Sequence, residues 1–375
     1  MPPDGPPTDP FTDPLPPLPT QPDRTPWPGP GSDGWPEGEP PAGVDLQPLL
    51  DEACDDTGPL ATTHAVVVVH RSRVVAERYQ GQLGRFDGPP DPVARDTALL
   101  SWSMAKSTLH AAVGIAVADG RLDPHRPTGV PEWQRPGDPR QGITLDHLLS
   151  MRDGLAFVED YALDDHLAGT VSDVLQMLFG AGQHDVAHFA ADRPLATPPG
   201  QRFSYSSGTS NVVSGMLARA VGPGDRYRRF LDHRLFGPIG ATSARPTLDA
   251  AGTWVASSYL HATARDFARF GLLYLRGGHW DGRQVVPAAW VDTARRPRSV
   301  DPTDGQLHST HWWVTPDGHG TFSCQGYEGQ SVTVCPAADL VLVRLGKTPS
   351  DHSADLRRWR ADIVDAFIRA GRATG

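Results

Sequence analysis

Two apolar runs open the regular part of the chain. His64-Ala65-Val66-Val67-Val68-Val69-His70 is followed, after Arg71-Ser72, by Arg73-Val74-Val75-Ala76-Glu77-Arg78-Tyr79. β-branched runs on either side of a short polar break read as a hairpin, and the first is apolar enough for a central strand. A second β-rich block lies far away, in Ser331-Val332-Thr333-Val334-Cys335 and Leu340-Val341-Leu342-Val343-Arg344-Leu345. Behind it Leu356, Trp359, Ile363 and Phe367 recur at spacings of three and four, which predicts an amphipathic helix. The middle, from about 104 to 300, is mainly helical. One apolar helical pattern runs from Ser103 to Val117 and is closed by Gly120. Thr263 with Asp266 predicts a capped helix carrying Phe267, Phe270 and Tyr274, with Gly277 ending it. Pro287 stands where a further helix would start. Strands at both ends with helices between predict an α+β fold, one antiparallel sheet assembled from the two ends of the chain around an inserted helical region.

Composition changes this picture at the N-terminus. Residues 1–45 hold 16 of the 38 prolines, so they read as a polyproline-like tail. Trp27 and Trp35 are costly to leave in water, so the later half of the tail is expected to lie across the body. Residues 46–375 then form the main domain, with the sheet drawn from about 60–100 and 305–371 and the helical region from about 104–300. A net charge of −10 argues against a nucleic-acid groove or an anionic membrane surface. No apolar run approaches the roughly 18 residues of a membrane span. The start, MPPDGPPTDPFTDP, lacks the basic and apolar stretches of a signal peptide, and a cytoplasmic location is expected. Cys54, Cys324 and Cys335 include no CxxC pair, and His184 and His188 lack an evident third ligand, so neither metal nor cofactor is expected.

Of the 34 basic side chains only Lys106 and Lys347 are lysines. Arginine stays charged in proteins, whereas a buried lysine can lose its proton. One of the two spared lysines falls in Ser103-Met104-Ala105-Lys106. A serine in the first turn of a helix meets unpaired N–H groups and the positive end of the dipole. The lysine, three residues on, shares its face, and when desolvated it can take the serine proton. The plainer alternative is a helix-capping serine beside a solvent lysine. Phe203-Ser204-Tyr205-Ser206-Ser207-Gly208 suits a tight turn that presents the Tyr205 hydroxyl to a cleft, as a proton relay or as simple packing. In Gly326-Tyr327-Glu328-Gly329-Gln330 the glycines allow close backbone approach, either for an oxyanion or for an ordinary turn.

In this order the three motifs resemble the serine β-lactamase and penicillin-recognising superfamily, in its class C-like branch of esterases and nylon-oligomer (aminohexanoate-dimer) hydrolases. Ile143–Met151 and Thr263–Gly271 add to the likeness, which covers about residues 45–371. The resemblance implies an α/β domain with an antiparallel sheet flanked by helices, an all-helical domain, and a cleft between them. It implies Ser103 as acyl-accepting nucleophile, with Lys106 and Tyr205 sharing general-base and general-acid work. The N–H groups of Ser103 and Tyr327 would form an oxyanion hole, and Tyr161, Gly326 and Glu328 would contact substrate.

Two departures shift the expected substrate. The β-lactamase Tyr-x-Asn is Tyr205-Ser206-Ser207 here, and the Lys-Thr-Gly strand motif is Cys324-Gln325-Gly326. Both changes weaken lactam recognition and leave acyl transfer intact, so a small carboxylic ester or simple amide is the expected substrate. A β-lactamase or penicillin-binding activity, or a non-catalytic sensor on the same fold, are the alternatives. Lys347-Thr348-Pro349 lacks the motif's glycine, and no Gly-x-Ser-x-Gly elbow exists. Cys324 reads as a packed thiol. Glu328, with Glu159, Asp160, Asp164 and Asp165 flanking Tyr161, suggests a negative cleft mouth, the other reading being a solvated loop face. No nucleic-acid or membrane partner is indicated, and the sequence is silent on oligomeric state.

Overall fold

In the computed structural model, which describes residues 9–31, 33–84, 89–160 and 172–374, the first two apolar runs are strands β1 (Thr62–His70) and β2 (Arg73–Tyr79). Arg71 and Ser72 between them both have left-handed φ, 50° and 64°, as a two-residue hairpin turn requires. Six more strands come from the C-terminal third: β3 (Ser299–Val300), β4 (Leu307–His308), β5 (Trp313–Val314), β6 (Phe322–Gly326), β7 (Gln330–Cys335) and β8 (Leu340–Lys347). They form one eight-stranded sheet in the order β3-β4-β5-β6-β7-β8-β1-β2, antiparallel throughout. Val67 lies opposite Val343, and Val68 opposite Leu342. Strand β1 is buried on both faces from Thr63 to Val69, which is why its run is nearly unbroken valine.

Residues 80–100 stay out of this sheet. Gln82–Leu83 pairs with Asp91–Pro92, and Leu99–Leu100 pairs with Leu260–Ala262. Gly81, Gly84 and Pro89-Pro90 break the pattern a ninth main strand would need. The Leu99–Leu100 pairing has its own use, because it fastens the segment before Ser103 to the segment after Ser257.

Four helices position the site: α1 (Met104–Ala118), α2 (Ser207–Val221), α3 (Ala264–Leu275) and α4 (Ser353–Thr374). Leu356, Trp359, Ile363 and Phe367 of α4 cover one sheet face, against Val66, Val68, Leu340 and Leu342. The other face packs on α3, capped by Thr263, whose hydroxyl accepts from the Asp266 N–H at 3.2 Å. A methyl group at Gly271 of α3 would come within 2.5 Å of Val341 and 2.7 Å of Val332, so the helix backbone itself lies on the sheet. Helix α1 is buried from Met104 to Ala116, the signature of a helix enclosed by others.

The proline-rich segment crosses the body in extended form. Pro36 O accepts from the Val74 N–H of β2 at 2.9 Å, and carbonyls nearer the start are met by arginines: Arg276 donates to Pro19 O at 3.2 Å, Arg269 to Gly31 O at 2.7 Å and Arg296 to Asp13 O at 3.1 Å. Trp35 is buried and donates to Arg265 O, while Trp27 packs on Trp280 with ring centroids 5.0 Å apart. No helix among the described residues is long and apolar enough to cross a membrane.

Candidate active site

Ser103 occupies the N-cap position of α1, yet its side chain makes no capping hydrogen bond. Trp102 before it holds a left-handed φ of 46°, rare for a bulky residue, and turns the chain sharply from strand into helix. Freed from capping, Ser103 Oγ lies 2.8 Å from Lys106 Nζ. Lys106 is 2% exposed. Burial disfavours its charged form and pulls the amine down to about 8, against the opposing pull of the Glu159 carboxylate.

Two further acceptors surround the amine, Ser207 Oγ at 3.0 Å and Ser257 O at 3.0 Å. Asn211 of α2 sets the second, its Oδ1 accepting from Ser257 N–H and its Nδ2 donating to Ser257 Oγ, both at 3.1 Å. Glu159 sets the first. Its carboxylate accepts from Ser207 N–H at 2.7 Å and from Ser207 Oγ–H at 2.6 Å, at the positive N-terminus of α2.

This arrangement fixes where a lone pair can point. The ammonium form has three N–H bonds and three acceptors. The neutral amine has two N–H bonds. Ser257 O can only accept, and Ser207 Oγ has already given its proton to Glu159. Both N–H bonds therefore go to these two atoms, and the lone pair faces Ser103 Oγ. Neutral Lys106 is a base aimed at one hydroxyl.

Tyr205 stands beside the pair, with its ring centroid 4.9 Å from Lys106 Nζ. Ser206, next in sequence, caps α2 by accepting from Thr209 N–H at 3.0 Å, so helix initiation places the phenol. The ring is wedged against Trp313 and His308, at 5.5 and 6.1 Å between centroids. Burial pushes the Tyr205 hydroxyl well above the usual phenol range; the Ser103 side chain opposes the shift and Glu159 adds to it. Tyr205 is a protonated phenol at neutral pH.

Across from Ser103 runs the end of β6. A methyl group on Gly326 would meet Ser101 O at 2.4 Å and Ser103 N at 3.2 Å, so only glycine lets the strand approach this closely. The Ser103 N–H donates to no acceptor among the described residues. Tyr327 follows, half exposed, with its ring edge-on to Trp102 at 5.7 Å. Glu328 has a left-handed φ of 59°, and Arg344 holds the turn by donating to Glu328 O at 3.1 Å and Gly329 O at 3.3 Å. Cys324 is buried with its thiol pushed up to about 12 by burial.

Of the residues singled out in the sequence, Ser103, Lys106, Tyr205, Gly326, Tyr327 and Glu328 are described, and Tyr161, Asp164 and Asp165 lie outside the described residues. The surroundings of Glu328 differ from those its sequence neighbours suggest. Lys347, Arg357 and Arg360 line the same cavity, so this part of the rim is not negative. Sequence reasoning missed three contributors. Ser207 stood out only as the place of a lost asparagine, Glu159 only as one acid in a run, and Ser257 not at all, because its contribution is a backbone carbonyl.

The Beta-lactamase family profile matches residues 61–366. A 6-aminohexanoate-dimer hydrolase of Paenarthrobacter ureafaciens is 28% identical over 348 residues, spanning 88% of this chain and 81% of the relative. Among solved structures, a Bacillus anthracis protein provisionally described as a 6-aminohexanoate-dimer hydrolase superposes with a TM-score of 0.72 at 22% identity, covering 90% of this chain and 89% of that one. A family VIII carboxylesterase gives a TM-score of 0.66 at 14% identity, covering 89% of this chain and 99% of that one. These two likenesses carry the fold.

Proposed function

The chain belongs to the Beta-lactamase family, and from that footing we propose that it is a serine hydrolase acting on carboxylic esters or simple amides through an acyl-enzyme on Ser103. The observation that carries the reading is the aim of the Lys106 lone pair at Ser103 Oγ, 2.8 Å away. The relatives named as a 6-aminohexanoate-dimer hydrolase and a carboxylesterase support amide and ester substrates.

In acylation, Ser103 Oγ bonds to the carbonyl carbon as its proton passes to Lys106 Nζ. The resulting ammonium is already provided with acceptors, so it costs little reorganisation. Negative charge develops on the carbonyl oxygen beside the N–H groups of Ser103 and Tyr327, which stabilise it. When the C–O or C–N bond breaks, the leaving group takes the Tyr205 hydroxyl proton, and the Lys106 proton restores the phenol. Water then attacks the acyl-enzyme, giving its proton back through the same groups and releasing the acid. The high phenol pKa supports Lys106 as the resting base and Tyr205 as the donor.

Ser103→Ala should abolish turnover of short aryl esters by several orders of magnitude, with an unchanged circular dichroism spectrum. A fluorophosphonate should label the native chain and not this variant. Retained turnover in the purified, folded variant would overturn the assignment.

A further inference from the structure

The Gly326–Gly329 turn is one wall of a cavity of about 540 Å³, whose other walls are Lys347–Ser350 and the first two turns of α4. Its charges come from segments distant in sequence. Arg360 is 8% exposed, on the apolar side of α4 one turn beyond Leu356. Among the described residues its guanidinium, which lines the cavity, has no hydrogen bond and no ion pair. Burial and the neighbouring Arg357 pull it down to about 10. Among the described residues, Arg357 has only a loose 3.8 Å contact with Asp304. Arg344, fully buried beneath the turn and close enough to Arg360 to feel its charge, is satisfied by Thr63 Oγ1 and the carbonyls of Leu60, Thr62, Glu328 and Gly329, with no carboxylate. The cavity itself is lined by three cations, Lys347, Arg357 and Arg360, against two carboxylates, Glu328 and Asp304.

Buried charges in proteins are almost always paired, because desolvation costs several kcal/mol per ion. Here two neighbouring guanidiniums are buried without a carboxylate between them, and one of them borders open volume. We propose that this cavity is a binding site for a small oxyanion, a carboxylate or a phosphate, held by Arg360 and Arg357 with Lys347 at its rim. A planar guanidinium grips either group through two parallel N–H bonds, and the N-terminus of α4 adds positive potential from the same side. The anion can be free in solution, or it can be a carboxylate on the substrate, since the shared wall carries Tyr327. Only the second source rests on the hydrolase reading.

The test uses the full chain in an anion-poor buffer, titrated with inorganic phosphate or acetate by calorimetry and thermal melting. Saturable binding with a raised melting temperature is expected, weakened about tenfold or more in Arg360→Gln and also weakened in Arg357→Gln. Arg360→Gln should melt no lower than the native chain without anion, because it removes a buried charge that has no partner. Matched aryl esters ending in a carboxylate or in its methyl ester then separate the sources. Competitive inhibition by phosphate, with the preference for the carboxylate ester falling about tenfold in Arg360→Gln, identifies a substrate-borne anion. Saturable phosphate binding with both esters indifferent to Arg360 identifies a free anion. Binding that does not saturate, or is equal in the native chain and in Arg357→Gln, overturns the proposal. Arg357 is exposed enough to vary safely if Arg360→Gln fails to fold. The binding arm reads out even if no ester is turned over.

Discussion

Replacing Glu159 by glutamine tests the lone-pair argument most directly. The substitution keeps shape and removes one negative charge. In the native chain the carboxylate can only accept, so Ser207 must donate to it and can only accept from Lys106, at 2.6 and 3.0 Å. A glutamine amide offers both a donor and an acceptor. With its N–H₂ turned to Ser207 Oγ, that hydroxyl proton is released and can seek the Lys106 lone pair in competition with Ser103. Losing this one orientation is worth about 1–2 kcal/mol, or roughly a five- to thirtyfold fall in the rate with fully neutral amine. A second effect runs the other way. Glu159 holds the Lys106 pKa up toward about 8, so its removal lowers that pKa and leaves more neutral amine at pH 7. At pH 7 the native chain has only roughly a tenth of Lys106 neutral. The two effects partly cancel at neutral pH and separate at high pH. The assay is kcat/KM on a p-nitrophenyl ester from about pH 6 to about pH 10. The acid limb should move to lower pH in Glu159→Gln while the alkaline plateau drops. A shifted limb with an unchanged plateau would show that Glu159 acts through charge alone, and the lone-pair argument would be refuted. Ser207→Ala should lower the same plateau, and adding Glu159→Gln to it should cost little more, since both act on one hydrogen bond.

Lys106→Arg should lose kcat/KM nearly as completely as Lys106→Ala, because an arginine keeps the charge but cannot take the Ser103 proton; a near-normal rate in the arginine variant would mean that only the positive field matters. Gly326→Ala forces the strand back from Ser101 O, and kcat should fall about a hundredfold with at most about 1–3 kcal/mol of stability lost, measured by rates and melts on one sample. Buried His110 and His308 are both pulled down to about 3 by desolvation, so the folded state binds fewer protons than the unfolded chain below the ordinary histidine range. Stability should therefore be full above about pH 6.5 and decline as the pH falls toward about 3; a melting temperature that stays level from about pH 7 to about pH 5 would contradict this.

Much of this architecture was legible from local pattern. The apolar runs gave the interior strands β1 and β8, because a strand buried on two faces has no room for polar alternation. Thr263 and Asp266 marked the start of α3 because a cap is a local hydrogen bond. Ser103 and Lys106 could be paired because three residues make one helical turn. What stayed hidden depends on distant contacts. Glu159 meets Ser207 across 48 positions, and Lys106 meets Ser257 O across 151. Neither link leaves a periodic trace. Glu328 looked acidic by its neighbours in sequence, while its neighbours in space are Lys347, Arg357 and Arg360. The excess of arginine over lysine was plain from composition, but its use in holding the carbonyls of the proline-rich segment was not.

The sheet order has a consequence for biosynthesis. Strand β1 leaves the ribosome early and finds β2 at once, but its other edge is reserved for β8, with Val67 waiting for Val343. Until synthesis has passed Lys347, a valine-rich strand is left with one row of unpaired backbone groups. Such an edge readily recruits other nascent chains. Closing so large a loop also makes productive collapse slow. The newly made chain should need a chaperone's shelter for most of its translation, and truncation anywhere before β8 should yield aggregates in place of a smaller folded unit.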